Sequence, residues 1–362
     1  MIPRNDIRWK PNKERLLATL RGEIPDRVPY FESLIEQRVV KHILGRDAGS
    51  TMAASRGASD KDAFIQPPMR PEDYLELVEY TGQDSILMES LWVPMKIRDH
   101  KGDLHSITGG FVETWEDLDK VILPTWDMDI APRKKYLEEY VAAARKKNVA
   151  VTFFTYAPMQ YIYEYLMGFE NFCMMVYEDW ELLERCMDLC MDYYEQVVTM
   201  AIEAGVDIIW LADDVAYKSG TFIDPKMFEK LWMGRTQKIV KMCKEADVPV
   251  IFHSCGNVNS ILDSVLINLG IDCLHPIEPY KMDIYEIKPK YQEHFCIAGN
   301  IDIAGPLAFG TPQAAYEETA KLVSTLKIGG KYILASSHSI TNDIPPENFD
   351  AMLQALWDHG RY

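Results

Sequence analysis

The clearest chemical signal in the chain is a pair of residues, His253 and Cys255, at the end of a short apolar run. Residues 248–252 read VPVIF, which is typical of a buried strand that begins after a turn. Alternate residues of a strand point to the same side, so the imidazole of His253 and the thiol of Cys255 can converge on one point. Gly256 follows directly, and because it lacks a Cβ atom, backbone and ligand can approach closely there. One nitrogen and one sulfur donor aimed together favour a zinc site.

A zinc site needs further ligands from elsewhere in the chain. His338 is the best third candidate because it ends another predicted strand, and Glu278 is a weaker fourth candidate. Three protein ligands would leave one position open, as a catalytic zinc requires. For each residue alone the alternatives stay open: a hydrogen-bonded histidine for His253, an inert buried thiol for Cys255, and a loop carboxylate for Glu278.

Other polar side chains also stand where predicted strands end. Asp213 and Asp214 follow one strand, and since adjacent strand residues point to opposite faces, only one of them should face the site. With Glu89 they are the candidate catalytic groups that handle protons or orient other side chains, although a solvated loop carboxylate would explain Glu89 equally well. The aromatic members of the candidate substrate-binding set need no such role if they pack in the core. That set consists of Trp92, Tyr156, Tyr217 and Asn300.

A repeating strand–helix pattern must position these residues. Eight short apolar runs of strand type are mostly followed by stretches with helical periodicity. Such alternation predicts a parallel sheet, and eight units predict an α/β fold, a single (β/α)8 TIM barrel with its active site at the carboxyl ends of the strands. The predicted strands lie near residues 28–31, 84–88, 149–156, 206–211, 248–253, 271–277, 294–298 and 331–335.

Two additions to the barrel are predicted. The N-terminal part, residues 1–80 or thereabouts, is mainly helical, whereas Gly45–Pro68 is rich in Gly, Ala, Ser and Asp and reads as an irregular loop. Residues 93–113 alternate around two turn signals, which indicates a β-hairpin insertion. No linker-like segment divides the chain, so one domain over residues 1–362 is expected.

Composition limits the classes of partner and compartment. The 362 residues are 48% hydrophobic, which is ample for one large core. A formal net charge of −17 argues against nucleic acid and anionic membranes as partners. No apolar run approaches the roughly 20 residues of a membrane helix, and the polar N-terminus lacks a signal peptide, so a cytoplasmic protein is expected. Nucleotide-binding and serine-hydrolase functions have no support, because the G-x-G-x-x-G, P-loop and G-x-S-x-G motifs are missing.

The chain resembles the uroporphyrinogen decarboxylase superfamily over nearly its full length. The matching landmarks are Asp26-Arg27-Val28-Pro29, Leu211-Ala212-Asp213-Asp214, Ala298-Gly299-Asn300-Ile301-Asp302, Ser337-His338-Ser339-Ile340 and Pro345-Pro346-Glu347-Asn348. The superfamily fold is a (β/α)8 barrel, in agreement with the strand count. Two departures count against porphyrinogen decarboxylation. The R-Q-A-G-R motif has no counterpart in residues 27–60, and Ser90 stands where the decarboxylases carry an aspartate.

The closer branch of the superfamily contains zinc-dependent methyltransferases that work with corrinoid proteins. It includes the methylcobamide:coenzyme M methyltransferases and the methyltransferases that start O-demethylation. The coenzyme M enzymes hold zinc through H-x-C plus a cysteine after strand eight, so the resemblance implies ligand roles for His253 and Cys255. At the third position this chain has His338. An imidazole in place of a thiolate makes the site one unit less negative, which favours an oxygen ligand over activation of a thiolate.

The resemblance therefore predicts an enzyme that moves a methyl group from a methoxylated substrate, with aromatic compounds as first candidates, to the cob(I)amide of a corrinoid protein. The expected cofactors are zinc, which would draw charge from the ether oxygen, and the corrinoid of that partner protein. Asp213, Asp214 or Glu89 would protonate or orient the leaving group. Three alternatives stay open: methyl transfer from a corrinoid to a thiol such as coenzyme M, a metal-free decarboxylase that uses His253 and His338 as acid and base, and a non-catalytic partner-binding barrel. Assembly as a homodimer is also open.

Overall fold

The computed structural model describes residues 9–55, 64–66, 68–88, 90–92 and 95–362. Within these residues the centre of the fold is one sheet of seven parallel strands. From one edge to the other, the strands are Ser85–Met88, Ala150–Tyr156, Ile208–Ala212, Val250–His253, Cys273–His275, Cys296–Ala298 and Tyr332–Ile333. Spatial order follows chain order throughout, as it does in a strand–helix barrel.

The segment 29–31 joins the two edges of this sheet. The backbone N–H of Phe31 donates to the carbonyl of Leu334 at 3.1 Å, and the N–H of Leu334 donates to the carbonyl of Pro29 at 2.9 Å. On the other side, the N–H of Asp84 donates to the carbonyl of Tyr30 at 2.9 Å. The predicted first strand is therefore a short bridge rather than a regular strand. It completes the (β/α)8 barrel.

Helices follow the strands in chain order. Several of them contain a π-helical turn and continue through it without a break. The helical stretches are Lys13–Leu20, Gln37–Leu44, Pro71–Thr81, Trp115–Leu118, 126–146, 158–166, Phe169–Glu178, Trp180–Ala204, 225–245, 259–269, Ile284–Tyr291, Pro306–Phe309, Pro312–Leu326 and Pro346–His359. Among the described residues, none of these helices is both long and apolar enough to span a bilayer.

Local sequence explains the longest of these helices. Asp179 caps Trp180–Ala204 by accepting a hydrogen bond from the backbone N–H of Leu182, and Gly205 ends the helix in a left-handed conformation with φ of 86°. Its buried residues recur every three or four positions, so one face packs against the barrel. Strand Ala150–Tyr156 is buried at every position, as expected for a strand covered by helices on one side and barrel core on the other.

The two predicted additions differ in outcome. Strands Lys96–Arg98 and Leu104–Ser106 pair antiparallel, which confirms the hairpin. The prediction of an irregular loop over Gly45–Pro68 is wrong in part, because Ala53–Ser55 and Phe64–Gln66 form short strands. Ala53–Ser55 also pairs with Ser90–Trp92. The pairing with Ser90–Trp92 joins segments more than thirty residues apart, and local composition does not encode a contact of that kind.

A buried ion pair fixes the N-terminal helix beneath the barrel. Asp84 precedes the first regular strand, is 1% exposed at its side chain, and lies 2.5 Å from the Arg15 guanidinium. Its carboxylate also accepts hydrogen bonds from the backbone N–H groups of Asn12 and Tyr30. The same aspartate therefore anchors both helix Lys13–Leu20 and the bridge that closes the barrel.

Candidate functional site

Three neighbouring strands end at the same height and build the floor of the candidate site. In the parallel register His253 lies opposite Ala212 on one side and opposite His275 on the other. Trp210 lies two residues before Ala212, and its ring centroid is 5.3 Å from that of His253 and 4.7 Å from that of His275. A large buried aromatic ring thus supports both imidazoles from below.

Asp214, His253 and Cys255 form a compact group of metal-ligand atoms. One donor atom from each lies within 4.8 Å of the other two. Sγ of Cys255 is 3.5 Å from Nε2 of His253, and Oδ1 of Asp214 is 3.6 Å from the same nitrogen. The backbone N–H of Cys255 also donates to Oδ1 of Asp214 at 2.7 Å. Sulfur, nitrogen and oxygen donors therefore surround one small volume.

Gly256 sets the turn that brings Cys255 into this group. Its φ of 84° is left-handed, and a Cβ atom there would lie 2.4 Å from the carbonyl oxygen of Ala216. Only glycine fits such an approach without movement of the backbone. The backbone N–H of Asn257 then donates to the carbonyl of Tyr217 at 2.9 Å, which ties this turn to the loop that carries Asp214.

The electrostatics of the group suit a metal ion. Burial lowers the pKa of His253 to about 4, so its imidazole is neutral at physiological pH and keeps a lone pair for a metal. Burial and the nearby Asp214 and Glu278 charges raise the pKa of the Cys255 thiol. A divalent cation would reverse that penalty, because coordination deprotonates a thiol outright. The N, S and O donors present fit zinc.

Asp213 and Asp214 have separated environments, as strand alternation predicts. Asp213 is fully buried, and its carboxylate accepts hydrogen bonds from the backbone N–H of Met159 at 3.2 Å and from Nε1 of Trp232 at 2.6 Å. Burial raises its pKa to about 7. It lies outside the ligand group and holds the start of a helix. Asp214 faces the site, and its backbone carbonyl accepts a hydrogen bond from the Tyr163 hydroxyl at 2.8 Å.

The sequence profile of the family described as uroporphyrinogen decarboxylase (URO-D) matches residues 11–359. The chain belongs to this family. Its curated relatives include methylcobamide:CoM methyltransferases. The MtbA protein of Methanosarcina acetivorans is 28% identical over 178 residues, 48% of each chain, and the MtaA protein of Methanosarcina barkeri is 27% identical over 356 residues, 95% of this chain and 96% of that one. A uroporphyrinogen decarboxylase of Pseudomonas fluorescens is 26% identical over 183 residues, again 48% of each chain.

Several of these alignments are partial, so the chain is matched over about half the length of the curated relatives with the strongest matches. The fold is supported over the whole chain. A solved methyltransferase structure from Methanosarcina mazei aligns with a TM-score of 0.70 and 20% identity, and the alignment covers 95% of this chain and 97% of that one. At this level of identity the likeness concerns the fold, which is the barrel of the uroporphyrinogen decarboxylase family.

The other two predicted ligands lie beside the group rather than in it. The ring centroid of His338 is 6.1 Å from that of His253, and its Nδ1 lies 2.9 Å from the Ser339 hydroxyl. His338 is exposed. Glu278 is near enough for its charge to act on Cys255, but it is not among the three residues whose donor atoms converge. Metal ligation by His338 and Glu278 stays a prediction.

The predicted substrate-binding residues occupy different depths. Tyr156 is 6% exposed and packs edge-on against Phe154 at 5.3 Å. Asn300 is buried and donates from Nδ2 to the carbonyl of Ile277. Tyr217 is 66% exposed at the rim of the site. Trp92 is the last residue of strand Ser90–Trp92, but its side chain is not among those that the structure describes. Glu89 lies outside the described residues.

Sequence reasoning missed His275 as a residue of the site. Its Nδ1 lies 2.7 Å from Nδ1 of His253, and its side chain is buried. The predicted strand 271–277 placed this histidine in the strand interior, where it reads as a core residue. The sequence did contain one indication of its role. His253 and His275 both lie near the ends of predicted strands that are neighbours in a barrel.

Proposed function

We propose that this chain is a zinc-dependent methyltransferase that moves a methyl group from a methoxylated, aromatic substrate to the cob(I)amide of a corrinoid protein. The observation that carries the proposal is the convergence of Asp214, His253 and Cys255 at the carboxyl end of the barrel. Family membership and relatives named methylcobamide:CoM methyltransferases support methyl transfer. The partner is a corrinoid protein, whose cobamide must reach the carboxyl end of the barrel, where the candidate site lies.

The donor set supports an oxygen atom, rather than a thiolate, as the leaving group. The group contains one cysteine, and its third member is the carboxylate of Asp214. A metal bound by one thiolate, one carboxylate and one neutral imidazole is a harder acid than a metal bound by two thiolates and an imidazole. Oxygen donors such as an ether or a phenolate suit it better. The preference for an oxygen over a thiolate leaving group is expected whether the third ligand is Asp214 or His338.

Each residue then has a definite task. Cys255, His253 and Asp214 would hold the ion, which would withdraw charge from the ether oxygen and so weaken its bond to the methyl carbon. His338 lies at the exposed edge of the group, with Nδ1 occupied by Ser339. We assign its Nε2 the role of coordinating the ion or of giving a proton to the departing oxygen. Tyr217 at the rim offers an aromatic contact surface for the substrate ring.

An anaerobic assay with free cob(I)alamin tests the proposal. Zinc-loaded protein should convert cob(I)alamin to methylcobalamin, followed by its visible spectrum, with at least one methoxylated aromatic compound. Cys255→Ala protein should fail, and Cys173→Ala protein should match the wild type, because Cys173 is a half-buried thiol outside the ligand group. Full methyl transfer by protein stripped of metal would contradict the mechanism.

Transfer of a methyl group from a corrinoid to a thiol is the second candidate. It is favoured by the MtaA relative, which is named for that reaction and aligns over 95% of this chain. The same protein should be supplied with methylcobalamin and coenzyme M in a parallel experiment. Thiol methylation that is faster than demethylation of any methoxylated compound would reverse the assignment.

A further inference from the structure

The strongest unassigned relationship in the site is the contact between two histidine rings. The Nδ1 atoms of His253 and His275 lie 2.7 Å apart, which is a hydrogen-bond distance. Their rings are stacked with centroids 4.9 Å apart, and Trp210 packs against both. His275 is 1% exposed, so water does not compete for this contact.

Two nitrogen atoms that face each other at this distance must play opposite roles. One carries a proton and donates, and the other offers its lone pair. The second nitrogen of each ring then determines which is which, because a neutral imidazole carries its single N–H on one nitrogen only.

The other nitrogen of His253 decides the assignment, because Nε2 faces the candidate metal ligands Cys255 and Asp214. A metal ion held by these three residues would take the lone pair of Nε2, so a neutral His253 carries its proton on Nδ1. Nδ1 of His275 is then the acceptor, and a neutral His275 carries its own proton on Nε2.

We propose that His275 is a positioning residue that holds His253 in the Nδ1–H tautomer, so that the Nε2 lone pair faces Cys255 and Asp214. Nε2 is the nitrogen that lies 3.5 Å from Sγ of Cys255 and 3.6 Å from Oδ1 of Asp214. The proposal deepens the proposed function and rests on it for the presence of a metal ion between these three residues. The contact between the two Nδ1 atoms does not itself involve that ion.

The contact with His275 also explains why His253 needs a partner. An imidazole that rotates or changes tautomer points its lone pair away from the metal part of the time, which lowers its affinity for the metal. A fixed hydrogen-bond partner for its N–H prevents this. Removal of such partners of metal-binding histidines costs about 10- to 100-fold in metal affinity. Because the acceptor here is a buried histidine, it adds no charge beside the ion.

Two substitutions separate the hydrogen bond from simple packing. His275→Phe keeps an aromatic ring against Trp210 and His253 but offers no acceptor. His275→Asn keeps an acceptor oxygen near the position of Nδ1 but removes most of the ring. We expect zinc affinity, measured by competition with a chromophoric chelator, to fall about 10- to 100-fold in His275→Phe and to change less in His275→Asn. Stability to urea should fall more in His275→Asn. His294→Phe is the matched control, because His294 is exposed.

A direct readout uses metal-free protein with 15N-labelled histidine. Long-range 1H–15N correlation spectra should show His253 protonated on Nδ1 and His275 protonated on Nε2, and His275→Phe should shift the His253 pattern toward the Nε2–H form. A wild-type His253 protonated on Nε2, or a His275→Phe protein with unchanged zinc affinity, would overturn the proposal. If wild-type protein binds no zinc but shows the expected tautomers, the proposed function fails and the assignment of His275 stands.

Discussion

Sγ of Cys255 and Nε2 of His253 lie 3.5 Å apart on residues separated by one position in the chain. The strand ends at His253, and Gly256 turns the backbone just after Cys255. One short segment thus supplies two soft or borderline ligands that already point at each other. The protein needs to add only oxygen or nitrogen donors from other loops to complete a metal site.

Cys255→Ala should remove bound zinc. The variant loses the thiolate, which contributes the largest charge donation to the ion, and two remaining donors do not hold zinc tightly. We expect about one zinc per chain in wild-type protein purified without chelator and a small fraction of that in the variant, measured by elemental analysis. Equal zinc content in both proteins would place the metal elsewhere. Cys173→Ala serves as the control thiol.

Asp214→Asn and His338→Ala together identify the third ligand. Asp214 belongs to the converging group, and the ring of His338 lies outside it. An asparagine can still accept the hydrogen bond from the backbone N–H of Cys255, so the turn survives. Zinc affinity should fall further in Asp214→Asn than in His338→Ala. The reverse order would assign the third position to His338, as the sequence resemblance predicts.

Gly256→Ala should damage both stability and metal binding. The left-handed backbone costs an alanine roughly 1–2 kcal/mol. Its Cβ atom would also lie 2.4 Å from the carbonyl oxygen of Ala216. We therefore expect a fall of more than about 2 kcal/mol in the free energy of unfolding, measured in urea, together with weaker zinc binding. Gly234→Ala is the matched control, because Gly234 is helical with open space around it, and it should be neutral or slightly stabilising.

Glu32 should make the protein less stable as pH rises. Burial raises its pKa to about 8, although the N–H and hydroxyl of Ser336 both donate to it. In the unfolded chain a glutamate titrates near 4.3. Between these values the unfolded state has lost a proton that the folded state keeps. The free energy of unfolding then falls by about 1.4 kcal/mol per pH unit from this group.

Glu32→Gln tests that linkage, since glutamine imitates the protonated acid and does not titrate. Urea unfolding from pH 5 to 8 should show a flatter decline for the variant than for wild type, and the variant should be the more stable protein at pH 8. Glu170→Gln, at an exposed position, should follow the wild-type curve. Parallel curves for Glu32→Gln and wild type would contradict a buried protonated Glu32.

The sequence predicts the parts of this molecule that depend on local periodicity. Strand Ala150–Tyr156 differs from its prediction by one residue, and the strand Val250–His253 ends where the apolar run ends. The convergence of His253 and Cys255 is predicted from strand alternation, although the strand ends at His253 and the turn at Gly256 positions Cys255. The separation of Asp213 from Asp214 follows in the same way, but which of them faces the site depends on the twist of the barrel.

Contacts between distant segments account for the rest. Asp214 enters the ligand group because its carboxylate accepts a hydrogen bond from the backbone N–H of Cys255, and His275 lies beside it because its strand neighbours that of His253. Neither relationship leaves a spacing pattern in the chain. The pairing of Ala53–Ser55 with Ser90–Trp92 is of the same kind. A strand near residues 28–31 is predicted, but its partners, Asp84 and Leu334, lie in distant parts of the chain, so its role in closing the barrel is not visible in the local pattern.

The closure of the barrel by residues 29–31 sets an order of events during synthesis. One partner of this segment, Asp84, emerges from the ribosome soon after it, but the other, Leu334, emerges about three hundred residues later. Until then the seam stays unpaired along one edge, and Glu32 lacks the Ser336 groups that bond to it. The barrel seam and the two hydrogen bonds from Ser336 to Glu32 are therefore completed together, once residues 334–336 have been synthesised.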